Sequence, residues 1–303
     1  MKRIVWKAQA AAFYCLTFGA AMVPAAIFDR FASGIGHLIS FILFNRRKIL
    51  FDNLRRALPF MEHHPLWSPP CGDVRNLATE TFENMGRSLV EVCRLYHGQG
   101  EEVVAGIELR GREHFEAARA KGRGMICLSG HCGNWELMAL AIGRLLGEGA
   151  VIANQQKNPF FNEMVERMRM RYHSRVIYKK GAFRRMLAEL RRGHLIGLLA
   201  DQADFPAQGV LIDFMGRKAW ASKAPVQIAR KSGAPLVPVF IHREGGRHVI
   251  TFYPEHLLGD DLSEEGTGKE IQALSRYVED YVVAHPAQWY WVHRRWKRAE
   301  GLV

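Results

Sequence analysis

The stretch Gly124–Leu146, "GMICLSGHCGNWELMALAIGRLL", decides the fold class. It opens on a short apolar run, turns through a glycine-bearing segment, and continues with apolar residues at helical spacing. Read as strand, turn and helix, it puts His131 at the carboxyl end of a strand. In open α/β sheets that is where ligands bind. The alternation continues through "AVIAN", "PFFNEMVERMRMRY", "RVIY", "AFRRMLAELRR" and "LIGLLA". It predicts an α/β fold with a mixed, largely parallel sheet flanked by helices. Further strands are expected at "GVLIDF", "PLVPVFI" and "HVITFY", with long helices over Val74–Tyr96 and "GKEIQALSRYVEDYVVAHP". A Pro-rich loop, "HHPLWSPPCGD", precedes the first of these helices.

The turn itself, "GHCGNWE" (Gly130–Glu136), admits four readings: a metal site, a thiol nucleophile, a His–carboxylate dyad, or a structural turn. A zinc-protease motif needs two histidines four apart on one helical face, and the segment supplies one. Cys132 is adjacent to His131, so the two side chains point apart and the thiol is poorly placed to use His131 as its base. On one helix, His131 and Glu136 would stand about 140° apart. They converge only if the turn made by Gly130 and Gly133 folds His131 back over the helix start. Asn134 is the expected N-cap, with Glu136 in the first helical turn. A dyad of this kind suits general-base transfer of a hydroxyl proton during attack on an acyl carbonyl, with helix N–H groups facing the oxyanion. A turn histidine without chemistry accounts for the spacing equally well.

Composition narrows the class. The chain has 303 residues, of which 48% are apolar and 24% charged, which suits a folded protein with a sizeable core. Its net charge of +12 points to an anionic partner: an acidic carrier protein, lipid headgroups or nucleic acid. Ten Lys or Arg against two Glu fall between Met164 and His194, which is +8 of that total. No nucleic-acid recognition module accompanies the charge. The five cysteines are odd in number and contain no CxxC pair, which argues against a disulfide framework or a zinc ribbon.

Between Lys7 and Asp29 lie 21 residues without a charge. As one helix that run would be about 31 Å long, close to the hydrocarbon thickness of a bilayer. A retained anchor is the preferred reading. A cleaved signal peptide and a buried hairpin are the alternatives, the latter because Gly19 and Pro24 interrupt the run. The expected organisation is residues 1–45 as membrane-anchoring and interfacial helices and residues 46–303 as one catalytic domain.

Several segments together resemble the lauroyl and myristoyl acyltransferases of lipid A biosynthesis, within the larger glycerolipid acyltransferase superfamily. The "HxGNWE" form of the His-x4-Glu arrangement carries the likeness. So do "NLRRALP" (Asn53–Pro59), "NMGRSLVE" (Asn84–Glu91), "KNP" (Lys157–Pro159), "ADQAD" (Ala200–Asp204), "DFMGRKAWASKAPVQIARKSGAPLVPVF" and "HPAQWYWVHRRWK" (His285–Lys297). The resemblance implies O-acyl transfer from an acyl thioester to a hydroxyl of a lipid A precursor or related glycolipid. The donor it implies is acyl carrier protein or acyl-CoA. A lysophospholipid, an aminolipid or another glycolipid is the alternative acceptor, and a metal-dependent hydrolase or a non-catalytic membrane-bound basic protein is the alternative from a different class. The resemblance further implies His131 as general base, Glu136 as its orienting carboxylate, no metal or cofactor, and a catalytic domain on the cytoplasmic face of the bacterial inner membrane. Substrate contacts are expected from Asn134, Lys157, Asn158, Asp201, Gln202, Arg294 and Arg295. Asp201 has a polar scaffold role as its alternative, and the closing tryptophans suit either an interface or a packed C-terminal helix. Asn154 stands where many relatives carry an arginine, a departure that leaves that arginine's role open here, with Lys157 or another basic residue as its candidate substitute. His194, His242 and His293 are read as structural or solvent-exposed.

Overall fold

The computed structural model describes residues 2–68 and 73–300; Cys71 and part of the expected Pro-rich loop lie outside them. The helices are α1 (Lys2–Ala21), α2 (Phe28–Ile42), α3 (Phe44–Glu62), α4 (Val74–Tyr96), α5 (Glu101–Ala105), α6 (Arg112–Arg119), α7 (Trp135–Leu146), α8 (Pro159–Arg171), α9 (Ala182–Arg191), α10 (Ala224–Ser232) and α11 (Glu264–Ala284). The strands are β1 (Glu108–Arg110), β2 (Met125–Ser129), β3 (Gly149–Ala153), β4 (Ser174–Tyr178), β5 (Leu195–Leu199), β6 (Gly209–Phe214), β7 (Arg217–Ser222), β8 (Leu236–Glu244) and β9 (Arg247–Phe252).

Seven strands form one sheet in the order β1-β9-β8-β2-β5-β3-β4. All neighbours are parallel except β8 and β9, which form an antiparallel hairpin. The alternation of short apolar runs with amphipathic helices builds this layer structure, as expected from the sequence. The "GVLIDF" segment differs: it pairs with β7 in a separate hairpin and joins no strand of the main sheet. Along β2, Ile126 and Leu128 enter one core with α9, α10 and α11, while Met125 and Cys127 enter the other with α6 and α7. Burial on both faces is why this strand reads as an unbroken apolar run.

The charge-free N-terminal run is not one helix. α1 ends at Ala21, and the chain turns before Pro24, which has no N–H to donate and pushes Val23 out of helical backbone. Among the described residues, the one stretch long and apolar enough to cross a membrane is Ala25–Ile42. α2 lies against α4 at a close crossing: a Cβ at Gly36 would stand 2.3 Å from the Phe82 carbonyl oxygen, and one at Gly86 would stand 2.1 Å from that of Ala32. α1 packs on α4 and α8, and the Asn158 amide donates to the Trp6 carbonyl at 3.0 Å. Outward, Ile4, Leu16, Phe41 and Ile42 are exposed.

The segment after α11 is a 3₁₀ turn followed by irregular turns, without the packed helix considered above. Trp289, Trp291 and Trp296 are nonetheless buried. Asn53 donates to the carbonyls of Trp291 and His293 at 2.7 and 2.8 Å, and Asn84 donates to that of Ala287 at 3.2 Å. Two of the resembling motifs, far apart in sequence, therefore clamp a third.

Candidate active site

The turn after β2 is built on Gly133. Its φ of +52° lies in the left-handed region, and a Cβ there would stand 2.2 Å from the Ile241 carbonyl oxygen. The backbone then pairs with the C-terminal segment: Gly133 N–H donates to the Gln288 carbonyl at 2.6 Å, and Tyr290 N–H to that of His131 at 3.0 Å. Cys132 points inward, fully buried, and burial pushes its thiol well above the ordinary value with the Asp201 charge adding to the rise. A thiol so held is no nucleophile. Asn134 caps α7 by accepting from Leu137 N–H at 3.0 Å.

His131 turns toward Asp201, not toward Glu136. Nδ1 stands 2.7 Å from Asp201 Oδ1, and the His131 backbone N–H donates to Oδ2 at 2.9 Å. The Trp289 indole donates to the same Oδ2 at 2.8 Å. Burial alone would raise the Asp201 carboxyl, but the His131 ring and backbone and the Trp289 indole outweigh it and hold the group well below the usual carboxylate range. The Gln202 amide meets Nε2 at 3.1 Å, so the network puts the ring proton on Nδ1 and leaves Nε2 as acceptor. The Trp135 and Tyr290 rings stand 5.1 and 6.0 Å from the imidazole.

The expected His131–Glu136 pairing is corrected by this geometry. Glu136 sits at the start of α7, and its carboxylate accepts from Arg169 Nε and Nη2 at 2.7 and 2.9 Å. That fork-to-fork pair fixes Glu136 against α8. Parallel register explains the partner that His131 does take. Ser129 on β2 aligns with Leu199 on β5, so the residues two further along, His131 and Asp201, emerge side by side.

Other expected contacts sort as follows. Gln202 reaches the imidazole. Asn134 and Asn158 are buried caps, with the Asn134 amide donating to Glu91 at 2.9 Å. Lys157 and Arg294 are exposed. Arg295 is buried and cannot meet a lipid phosphate: it donates to the Trp220 carbonyl at 2.6 Å and lies over Phe214. Burial lowers its guanidinium to about 10 despite Asp201 and Glu279. His242 stacks on His285 at 4.1 Å and His194 meets Glu189 at 2.7 Å, as structural histidines. Among the described residues no group of three or more His, Cys, Asp or Glu could hold a metal ion.

Composition and spacing did not single out Glu91, Arg243 and His248. Glu91 accepts from Arg243 at 2.7 and 3.1 Å and meets His248 at 3.0 Å. Burial would raise its carboxyl, but His248 and Arg243 hold it at about 2. This buried cluster supports Asn134 and so the start of α7. Only the place of Glu91 at the end of "NMGRSLVE" hinted at it.

Two apolar cavities meet at the site. One of about 440 Å³ lies among α1, α2, α4 and the C-terminal segment, reaching Trp135, Glu136, Arg169 and Tyr290. The other, about 200 Å³, runs from His131 between α7 and strands β2, β3 and β5. Trp135, Glu136 and Arg169 line both and form the partition.

Residues 5–298 match the family model described as bacterial lipid A biosynthesis acyltransferase. The chain belongs to this family. It is an acyltransferase, as the family and its named relatives are. A lipid A biosynthesis lauroyltransferase of Escherichia coli (strain K12) is 25% identical over 285 residues, covering 92% of this chain and 89% of its own. A phosphatidylinositol mannoside acyltransferase of Mycobacterium tuberculosis (strain CDC 1551 / Oshkosh) is 25% identical, covering 75% and 72%. A lipid A biosynthesis myristoyltransferase of Escherichia coli (strain K12) is 21% identical, covering 71% and 67%. These family members differ in acceptor by name, so membership carries the chemistry further than the substrate.

Proposed function

We propose that the protein transfers a fatty acyl group from an acyl thioester to a hydroxyl of a membrane glycolipid of the lipid A precursor type, with His131 as general base. The observation that carries this reading is an imidazole whose Nδ1 is fixed by a buried carboxylate, whose Nε2 meets the Gln202 amide, and whose ring lines the inner apolar cavity. In the ground state the Gln202 amide occupies the position an acceptor hydroxyl takes. On binding, the hydroxyl replaces that amide, Nε2 receives its proton, and the oxygen attacks the thioester carbonyl. Asp201 stabilises the imidazolium that forms. The N-terminus of α7, with Arg169 beside it, faces the developing oxyanion. Collapse expels the thiolate, which takes the proton back from Nε2. The thioester supplies the activation, so the reaction needs neither a metal nor a cofactor.

The inner slot suits the donor chain, and the larger cavity, walled by α1 and α2, suits the acceptor's acyl chains. Lys157, after β3, and Lys179 and Lys180, after β4, lie at the same carboxyl edge of the sheet as His131. That edge suits an acidic acyl carrier protein, with acyl-CoA as the other donor. The α2 stretch and the exposed apolar face of α1 suit the bacterial inner membrane, with the sheet on its cytoplasmic side.

The test is mass spectrometry of products from purified protein, an acyl carrier thioester, and a lipid A precursor, a phosphatidylinositol mannoside or a lysophospholipid in parallel. Acylation of the lipid A precursor is expected. His131→Ala should lower it by about 10²–10⁴, with some loss of thermal stability because the buried Asp201 carboxylate loses a partner. Product formation undiminished in that variant would overturn the base assignment, and acylation confined to another acceptor would replace the substrate.

A further inference from the structure

A third cavity, about 470 Å³, lies outside the site, between the Lys7–Tyr14 side of α1, the end of α4 and the face of α8 that carries Glu163, Arg167 and Arg171. Tyr96 and Met168 form its common wall with the larger apolar cavity, but neither His131 nor Glu136 reaches it. Lys7, Arg167 and Arg171 converge on it, with Glu163 as the one carboxylate. Glu163 meets Arg167 at 3.0 Å in an exposed pair, which an arriving anion can exchange at little cost. The Arg171 guanidinium lies over Gly98, so close that a Cβ there would stand 2.0 Å from its Nη1. Burial, and then the Arg171 charge, lowers His97 below its ordinary value, which leaves that ring neutral on the floor of the cavity. Tyr14 and Tyr96 complete the floor, 6.4 Å apart.

The position of this pocket says which anion it takes. Lys7 is on the helix whose other face exposes Val5 and Leu16. Lys2 lies over Trp6 one turn earlier, an aromatic–cation pair suited to an interface. A cavity with three cations and one carboxylate, opening beside a lipid-facing helix, has the chemistry of a headgroup phosphate site. We infer that the cleft among Lys7, Arg167 and Arg171 binds the phosphodiester headgroup of an anionic membrane phospholipid and so seats α1 and α8 at the bilayer surface. The inference rests on the membrane placement proposed above but not on the acyl-transfer reading. Its lipid is a resident of the bilayer, not the acceptor.

The test is co-flotation of the full-length protein with vesicles of phosphatidylcholine alone or mixed with phosphatidylglycerol. Arg167→Gln/Arg171→Gln should weaken binding to the anionic vesicles about tenfold or more while leaving binding to neutral vesicles unchanged. Lys179→Gln/Lys180→Gln removes the same charge elsewhere and should cost less. Equal losses in both double variants would overturn the site in favour of diffuse attraction, and so would a fall on neutral vesicles. Inorganic phosphate at millimolar concentration should not release the wild type; release would assign the cleft to a free anion. His131→Ala should float like the wild type, so failure of the catalytic reading leaves this result intact.

Discussion

At the scale of single residues, the site depends on which carboxylate holds the imidazole. Asp201 receives three donors, two of them from His131, and Glu136 is held by Arg169. The two carboxylates should therefore fail differently. Asp201→Asn puts an amide where the Nδ1 proton needs an acceptor, and kcat should fall about 10²–10⁴. Glu136→Gln leaves Arg169 without its counter-charge and loosens the partition between the cavities. Its main effect should be on KM, with a smaller loss in kcat, and steady-state kinetics with an acyl thioester distinguish the two. Equal losses in kcat would return Glu136 to the chemistry. The heptapeptide "GHCGNWE" made the place of His131 after a strand, the capping role of Asn134 and the inertness of Cys132 legible. It could not show that Asp201 is the partner, because that contact depends on β2 pairing with β5 in a particular register. The burial of Arg295 is illegible for a related reason: a guanidinium beside aromatic residues reads the same whether it faces lipid or is buried over Phe214.

At the scale of elements, the strand–helix alternation was legible because β2, β5 and their flanking helices keep their own periodicities. The N-terminal run was not, since charge-free composition does not say where a helix stops, and Pro24 decides that. Two contacts between elements carry predictions. Gly86→Leu places a side chain on the Ala32 carbonyl and should push α2 away from α4, costing about 1–3 kcal/mol. Differential scanning fluorimetry in detergent should show a lower Tm, and proteolysis should speed up near Leu43. Glu91→Gln removes the charge opposite Arg243 in a buried cluster, and removing one partner of such a pair costs about 3–5 kcal/mol. A denaturant midpoint unchanged in this variant would mean that the cluster is not what holds Asn134 and the start of α7.

At the scale of the whole molecule, stability should fall on mild acidification. Burial lowers His285 and His293 to about 4, from about 6.5 in an unfolded chain. His242 beside His285 lowers it further, while Asp201 partly offsets the fall at His293. Between those values the unfolded chain binds more protons, so the contribution is complete above about pH 6.5 and is lost as pH falls toward 4. Both rings keep some water contact, so the discounted loss is of order 2 kcal/mol. Urea midpoints between pH 7 and pH 4 check it. Glu91 adds its own loss at lower pH, accruing as the medium falls from about 4.5 toward about 2. The net charge of +12 should also make association with an acidic carrier fall steeply with salt, through the on-rate. Stopped-flow binding at two ionic strengths would show it.

The bridge between the His131 turn and residues 288–290 has a consequence for how the enzyme is made. In a growing chain α1 and α2 are made first, and His131 follows while Trp289 is still untranslated. Until Trp289 emerges, Asp201 lacks one of its donors and the turn lacks its backbone partner. The surroundings of the imidazole are thus completed only when the C-terminal segment docks on the turn. Nascent chains stalled before Trp289 should bind membranes and hydrolyse no acyl thioester.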